Sequence, residues 1–472
     1  MISPYSNPRL PRAKSRGLSS ARKLWVSRLP AQCGKFILSM SKGSTRTVLG
    51  ILMLGCSSQA YAETVAITGG KVIIGDGSAP IEGGTVVIRD GNIVAAGKDV
   101  AVPAGARMID ATGKWVTPGI FAGFSRIGLA EVDAVNGTND KSGGNSGFSA
   151  AIDIAPAIDP FRSSIAVNRS AGVTRAVVAP EAASSIFAGQ GAIADLGVDS
   201  EPVTKARAFQ FVEFGEDGAG NSGGSRAGNH LHFRAMLREA LAHATGNDAF
   251  DDDLLKVEDA KALQAVLRGE TRLLVHVEGA NDMLRLLELK RDYPAIKMVF
   301  VGATEGWRVA DKLVSAGVPV IASALNDLPV TFEMLGATQS NIGRMKDAGV
   351  KVAIGMINDN DSHQLRYTPQ YAGNLVSLQK VPGATGLSWD EAFATISSVP
   401  ADIMGVGDRY GSLKAGRAGD VVVWDGDPLE LYAAATTVFI DGVQQPLGNR
   451  QNRLRDRYRN PVEGDLPKAY DR

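Results

Sequence analysis

From Val65 to Asp110 apolar and polar positions alternate, and the runs break at turn dipeptides: VAITGGKVII, then TVVIRDGNIVAAG with Asp90-Gly91 at its centre. A period of two with such a dipeptide predicts antiparallel strands joined by a tight hairpin. The same texture returns at residues 419–445 in GDVVVWDGDP and VFIDGVQQ, where Asp441-Gly442 supplies a second turn. The two segments bracket a long middle, which predicts one small composite β-sandwich built from both ends of the chain.

The middle changes rhythm. Short apolar runs, RLLVHVEG, IKMVFVGA, VPVIAS and VKVAIGM, alternate with helical patterns. After the first, Met283, Leu286, Leu287 and Lys290 follow the i, i+3, i+4, i+7 spacing of one helix face. After the second, Val309 and Leu313 share a face and Gly317 supplies a stop. DEAFATISS starts a closing helix. Alternating strands and helices predict parallel βα units and a (β/α)8 TIM-like barrel of the α/β class. The expected division is leader 1–62, first β-sandwich part 63–115, barrel 116–405, second β-sandwich part 406–447 and charged tail 448–472. The Gly, Ser and Asn-rich stretches 137–147 and 215–229 lack a hydrophobic period and read as loops.

A chain of 472 residues with 44% apolar and 21% charged positions has room for one large barrel and an accessory domain, and is ordinary for a globular protein. Its formal charge of zero hides an asymmetry: residues 1–62 hold ten Lys and Arg and no acid. Without those ten bases, 40 remain against 50 acids, a net charge of −10. An acidic body without a basic stripe argues against nucleic acid as a partner and for a small molecule or a protein. Lys42 and Arg46, the apolar run Val48 to Leu54 and A-Y-A ending at Ala62 have the layout of a secretory signal peptide, too short to span a bilayer. Export, with cleavage after Ala62 and a periplasmic destination, is the expectation; Met40 is a second plausible start. Both cysteines, Cys33 and Cys56, lie in this leader, so the rest of the chain has no thiolate ligand or nucleophile. Met53, Leu54 and Gly55 before Cys56 match a lipoprotein box poorly.

At WVTPGIFAGFSRIG, residues 115–128, the chain resembles the first barrel strand of the amidohydrolase superfamily, and specifically its imidazolonepropionase-related branch. NRSAGVTRAVVAP, IFAGQGAIADL, LLVHVEGANDML, TEGWRVADKLVSAGVPVI and RYGSLKAGRAGDVVVWDGDP extend the resemblance over most of residues 63–445. It implies a barrel enzyme that holds metal at the C-terminal ends of its strands and hydrolyses non-peptide C–N bonds, amide or cyclic amide. It also implies replaced ligands. Phe124 and Arg126 stand where two histidines belong, Ala122 where an aspartate belongs, Gly302 at a histidine position and Ile357 at the catalytic aspartate. His276 sits where the family carries a ligand and is the one candidate metal remnant, or else a hydrogen-bonded core residue.

Strand alternation sends Ile120, Ala122, Phe124 and Arg126 to one side, and Leu274, His276 and Glu278 inward. Phe124 then fills the space of a lost metal cluster. Arg126, an inward cation, needs a partner, and Glu278 is the candidate. Glu278 and Asp359 are the candidate catalytic acids, and Arg126 and His276 the candidate substrate-binding residues. Asp359 substitutes for the family aspartate only if its strand bulges; otherwise it and Asp361 are solvated loop acids. His230-Leu231-His232, His243 and His363 read as exposed helix-start histidines. GQGAIA at 189–194 echoes a dinucleotide fingerprint but falls in a barrel loop, and no G-x-S-x-G elbow is present. Two functions remain open. One is a hydrolase with a reorganised site, using a divalent metal such as zinc if active. The other is a cofactor-free, non-catalytic barrel that binds a small ligand, its own copy or an active paralogous subunit.

Overall fold

The structure, a computed structural model, describes residues 63–246, 254–324, 326–358 and 362–459. The leader with Cys33, Cys56 and Ala62, and the acids Asp359 and Asp361, lie outside the described residues. No described helix is long and apolar enough to cross a membrane.

Five strands open the chain: β1 (Thr64–Val72), β2 (Ile81–Arg89), β3 (Asn92–Gly97), β4 (Arg107–Asp110) and β5 (Trp115–Pro118). Eight more follow: β6 (Ile120–Ser125), β7 (Val173–Val178), β8 (Phe187–Asp195), β9 (Val203–Glu213), β10 (Arg272–Val277), β11 (Met298–Gly302), β12 (Val320–Ala322) and β13 (Val352–Ile354). Three close it: β14 (Val421–Trp424), β15 (Ala435–Ile440) and β16 (Val443–Gln444). The first five and last three form one sheet in the order β16-β15-β14-β5-β1-β2-β3, with β4 beside β1. The two ends meet where β14 runs antiparallel to β5, Val421 opposite Pro118 and Trp424 opposite Trp115. Asp90 and Gly91 turn between β2 and β3 at φ 54° and 76°, and Asp441 and Gly442 between β15 and β16 at 48° and 74°. Both central residues have positive φ, as the tight hairpin demands. Val65, Ile67, Val86, Val116, Val421 and Phe439 pack this sheet's own core.

The remaining eight strands, β6 to β13 in sequential order, make a nearly closed barrel sheet. Its seam is bridged where the Met356 amide donates to the Phe124 carbonyl at 3.1 Å. The barrel is mixed. β8 runs antiparallel to both β7 and β9, and the other seven strands are parallel. GQGAIA therefore lies within β8, not in a loop. Only eight residues separate the end of β7 from the start of β8, too few for a crossover helix, so the chain must reverse.

Strand parity divides the cores. Leu273, Val275, Val277, Phe300 and Val320 face the surrounding helices. Phe121, Phe124, Phe209, Phe211, Leu274 and Val301 fill the interior. The first strand departs from simple alternation: Ile120 and Ala122 lie with the outer core, Phe121 and Phe124 with the inner one. The register shift between Ala122 and Ser125 supplies the reason, because a bulge there flips the face on which Phe124 falls.

The glycine-rich stretch 215–229 is not the loop expected. It holds the helix Gly215–Gly220 and the start of the helix Arg226–Thr245, whose N-cap Ser225 accepts a hydrogen bond from the Gly228 amide. Gly317 ends the helix Ala310–Ala316 in the left-handed region. Arg450–Arg459 in the charged tail is helical.

Candidate functional site

A cavity of about 370 Å³ opens at the C-terminal ends of the barrel strands, lined among others by Phe124, Arg126, Glu213, Asp217, His276 and Glu278. This is the pole where barrel enzymes build their sites, since successive strand ends converge there. His276 is held by register. On β10 it stands opposite Glu213, the last residue of β9, so both side chains leave neighbouring strands on the same inward face. Nδ1 of His276 makes a short contact with Oε1 of Glu213. Nε2 lies 3.1 Å from Oε1 of Glu278, whose other oxygen accepts from the Thr304 amide at 2.8 Å.

The imidazole is thus strung between two carboxylates. Burial alone pulls its pKa down, yet the charges and hydrogen bonds of Glu213 and Glu278 outweigh burial and hold it well above the usual histidine value. Burial pushes the Glu278 carboxyl up, but His276 and the Thr304 hydrogen bonds bring it below the usual glutamate value.

Glu278 therefore takes its charge partner from its own strand. Its carboxylate bonds to His276 and Thr304, and the ion pair with Arg126 expected from parity is not among its contacts. Arg126 is buried in the cavity wall with its guanidinium 5.8 Å from the Phe124 ring centre. Phe124 is 1% exposed and packs at 5.5 Å on Phe211, lining the cavity with aromatic carbon. Gly302 adopts φ 89°, and a Cβ there would lie 2.3 Å from Oε1 of Glu278, so a side chain would have to displace that carboxylate. Ile357 is buried and lines the cavity.

The other histidines are anchored rather than exposed. His230 Nε2 lies 3.3 Å from Asp282 Oδ1, His243 Nδ1 2.9 Å from the Gln264 amide, and His363 Nδ1 3.5 Å from Asp133. His232 is half-buried.

Glu213 and Asp217 are cavity residues that sequence reasoning missed. Phe209, Phe211 and Glu213 share one strand parity in FQFVE, an inward-alternation signal for the first. Asp217 comes from the helix Gly215–Gly220, hidden in a stretch read as a loop. Glu213, Asp217 and His276 each offer one donor atom, and these atoms lie within 4.8 Å of one another. Three protein donors with room for water are the number a catalytic zinc-like site keeps. Glu278 on the far nitrogen of His276 is the carboxylate–imidazole arrangement that orients a metal-bound histidine. The donor set can hold one divalent ion provided the imidazole gives up a proton to it, since only neutral imidazole ligates a metal.

Comparison with known proteins follows from this geometry. An amidohydrolase family model matches residues 238–444. Amidohydrolase tasK of Hapsidospora irregularis is 27% identical over 382 residues, 73% of this chain, and the chain spans only 38% of that relative's length. The solved amidohydrolase of Thermotoga maritima MSB8 superposes with a TM-score of 0.69 at 22% identity, over 82% of this chain and all of the other. A molinate hydrolase superposes with a TM-score of 0.51 at 20% identity, over 82% of this chain and 95% of the other. These two likenesses establish a shared TIM-like barrel fold. By the family match over residues 238–444 and by the sequence relative, the chain is similar to amidohydrolases, and by the solved structures it shares their barrel fold.

Proposed function

We propose that the chain is a hydrolase of a small molecule's non-peptide C–N bond, amide or cyclic amide, with a reduced centre in which Glu213, Asp217 and His276 hold one divalent ion. The observation that carries this reading is the meeting of those three donors at the C-terminal pole, within 4.8 Å of one another, on an open cavity. An ion bound there supplies Lewis acidity toward a carbonyl and lowers the pKa of bound water. The chain's own residues do the rest. Glu278 fixes the imidazole through Nε2, and Thr304 fixes Glu278. Phe124, Phe211, Met334 and Ile357 make the apolar walls that limit water, and Arg126 and Asn358 offer polar contacts to the substrate. Asp359, next to Asn358 in the sequence, is the second candidate acid. The resemblance at residues 115–128 favours the imidazolonepropionase-related branch, with most of its ligands replaced at Phe124, Arg126, Gly302 and Ile357. The leader favours export and cleavage after Ala62, tested by sequencing the N-terminus of the protein recovered from the periplasm.

A second reading is a non-catalytic barrel that binds a small ligand or an active paralogue. Phe124 in the first-strand position and the Glu278 carboxylate packed onto Gly302 favour it, because each occupies volume where a wider ligand set would stand. Elemental analysis of protein purified without chelator separates the two. The hydrolase reading expects close to one equivalent of zinc, iron or manganese, lost in His276→Ala and Glu213→Gln, and turnover of amides or cyclic amides that chelation abolishes. Metal-free protein with an unchanged fold and no turnover establishes the second reading instead.

A further inference from the structure

The opposite pole of the barrel carries a second cavity, of about 580 Å³, beneath the N-terminal ends of β10 to β13. Its size falls in the range of small-molecule sites, about 300–1,000 Å³. Four cations border it: Arg272 at the first position of β10, Lys297 and Lys351 just before β11 and β13, and Lys290 on the helix Ala280–Asp292. One acid, Asp402, joins them, 3.9 Å from Lys351. Such a cluster stands out on a body whose residues from 63 onward carry 40 bases against 50 acids. Chance placement on an acidic surface would bring carboxylates with the cations.

Arg272 is the centre of the argument. It is half-buried, and among the described residues its guanidinium makes no ion pair. Burial holds its pKa below the ordinary arginine value, with no carboxylate acting against that. Its place is built: Gly405 adopts φ 68°, and a Cβ there would lie 2.3 Å from the guanidinium nitrogen. A partly desolvated guanidinium packed against the Gly405 backbone is a fork for a planar anion, which it binds through two parallel hydrogen bonds. The rest of the accessible lining is apolar, with Pro294, Ala295, Val314 and Pro319 standing over the buried Ile296, Met298, Leu313 and Val318. A carboxylate with a short hydrocarbon chain satisfies both halves; a bare inorganic anion satisfies only the cations.

We propose that this N-terminal cavity is a binding site for an amphipathic carboxylate, with the carboxylate on Arg272 and Lys297 and the chain along the aliphatic wall. The site is at the other pole from Glu213 and His276, so its ligand leaves the candidate active cavity open.

Isothermal titration of the full chain with decanoate tests this, with inorganic phosphate as a parallel arm. Saturable one-to-one binding of decanoate is expected, weakened at least about tenfold in Arg272→Met and severalfold in Lys297→Glu, with phosphate at least about tenfold weaker than decanoate, as expected when a charge-assisted pair and an apolar contact are both lost. Lys297 is exposed, so its reversal keeps the test decisive if Arg272→Met does not fold. Absent binding, unchanged decanoate affinity in a folded Arg272→Met or in Lys297→Glu, or phosphate binding as tight as decanoate would each overturn the proposal.

Discussion

Gly302 shows how one backbone position constrains the side chains around it. The resemblance places a histidine there, yet the Glu278 carboxylate now occupies the space of its Cβ, 2.3 Å away, and the backbone has turned to φ 89°. Restoring the histidine alone therefore does not restore a ligand. Gly302→His must both adopt a left-handed backbone and displace a buried carboxylate, and is expected to cost about 2–4 kcal/mol of stability. Urea denaturation checks it; a loss under about 0.5 kcal/mol, the usual range of a neutral surface change, would mean the site accommodates the ring after all. Asp195 offers a pH test away from the cavity. Burial raises its carboxyl from 3.8 to about 6, against the Gly197 amide, which donates to Oδ1 at 2.8 Å, and the charge of Arg175. A raised carboxyl stabilises the fold fully below about pH 4 and loses that contribution as pH rises through about 6. Asp195→Asn keeps the acceptor without the charge. It is expected to leave the unfolding free energy unchanged near pH 4 and to raise it at pH 8, by up to about 3 kcal/mol at 1.36 kcal/mol per pKa unit, as read by urea denaturation. An equal shift at both pH values would place the effect elsewhere than the titration.

At the level of elements, legibility followed regularity. β10 is an unbroken strand, so alternation correctly turned Leu274 inward and Val275 outward. β6 carries two register shifts, and alternation failed at Ile120 and Ala122 because a bulge leaves no mark in the order of residue types. β8 stayed hidden since its glycines read as a loop, while pairing on both sides holds it in the barrel. The stretch 215–229 misled in the same direction: local glycine content argued for coil, and a Ser225 cap together with the long run after it imposed helix. Asp217 was lost with that helix. Glu213 was readable by parity, but a single glutamate at a strand end has many plainer explanations than a ligand. Where local chemistry and fold agree, the element is easily tested. Ser388 caps the helix Trp389–Ala394, its Oγ accepting from the Glu391 amide while the Glu391 carboxylate accepts from the Ser388 amide. This capping box starts the helix that stacks Trp389 on Phe393 at 5.4 Å and meets Trp115 at 5.1 Å. Ser388→Ala is expected to cost about 1 kcal/mol in chemical denaturation. No change would show that packing of the two tryptophans, not the cap, sets the helix start.

At the largest scale, a buried cation joins the barrel to the sheet built from both ends of the described chain. Arg175 sits on β7 of the barrel and is fully buried, and both of its carboxylate partners belong to the sheet made from the chain's two ends. Its Nε donates to Asp420 at 2.6 Å, its terminal nitrogen reaches Asp441 at 2.7 Å, and its guanidinium lies 3.9 Å from the Tyr410 ring centre. Asp420 also accepts from the Asp441 amide, so the arginine, the Asp441-Gly442 turn and β14 form one polar knot between sheet and barrel. Nearby, the Trp424 indole donates to Thr117 at 2.9 Å, joining β14 to β5 in the same region. Removing the cation leaves Asp420, 5% exposed, as an uncompensated buried charge. Arg175→Met is therefore expected to destabilise by about 3–5 kcal/mol, the cost typical of breaking a buried pair from one side. Because the sheet draws strands from both ends of the chain and the knot joins it to the barrel, neither part can be released without the other. Urea unfolding followed by tryptophan fluorescence and by far-ultraviolet circular dichroism should give coincident midpoints in the native chain and in Arg175→Met, both displaced together in the variant. Separate midpoints in the native chain would show that sheet and barrel fold independently, and separation only in the variant would show that Arg175 alone couples them.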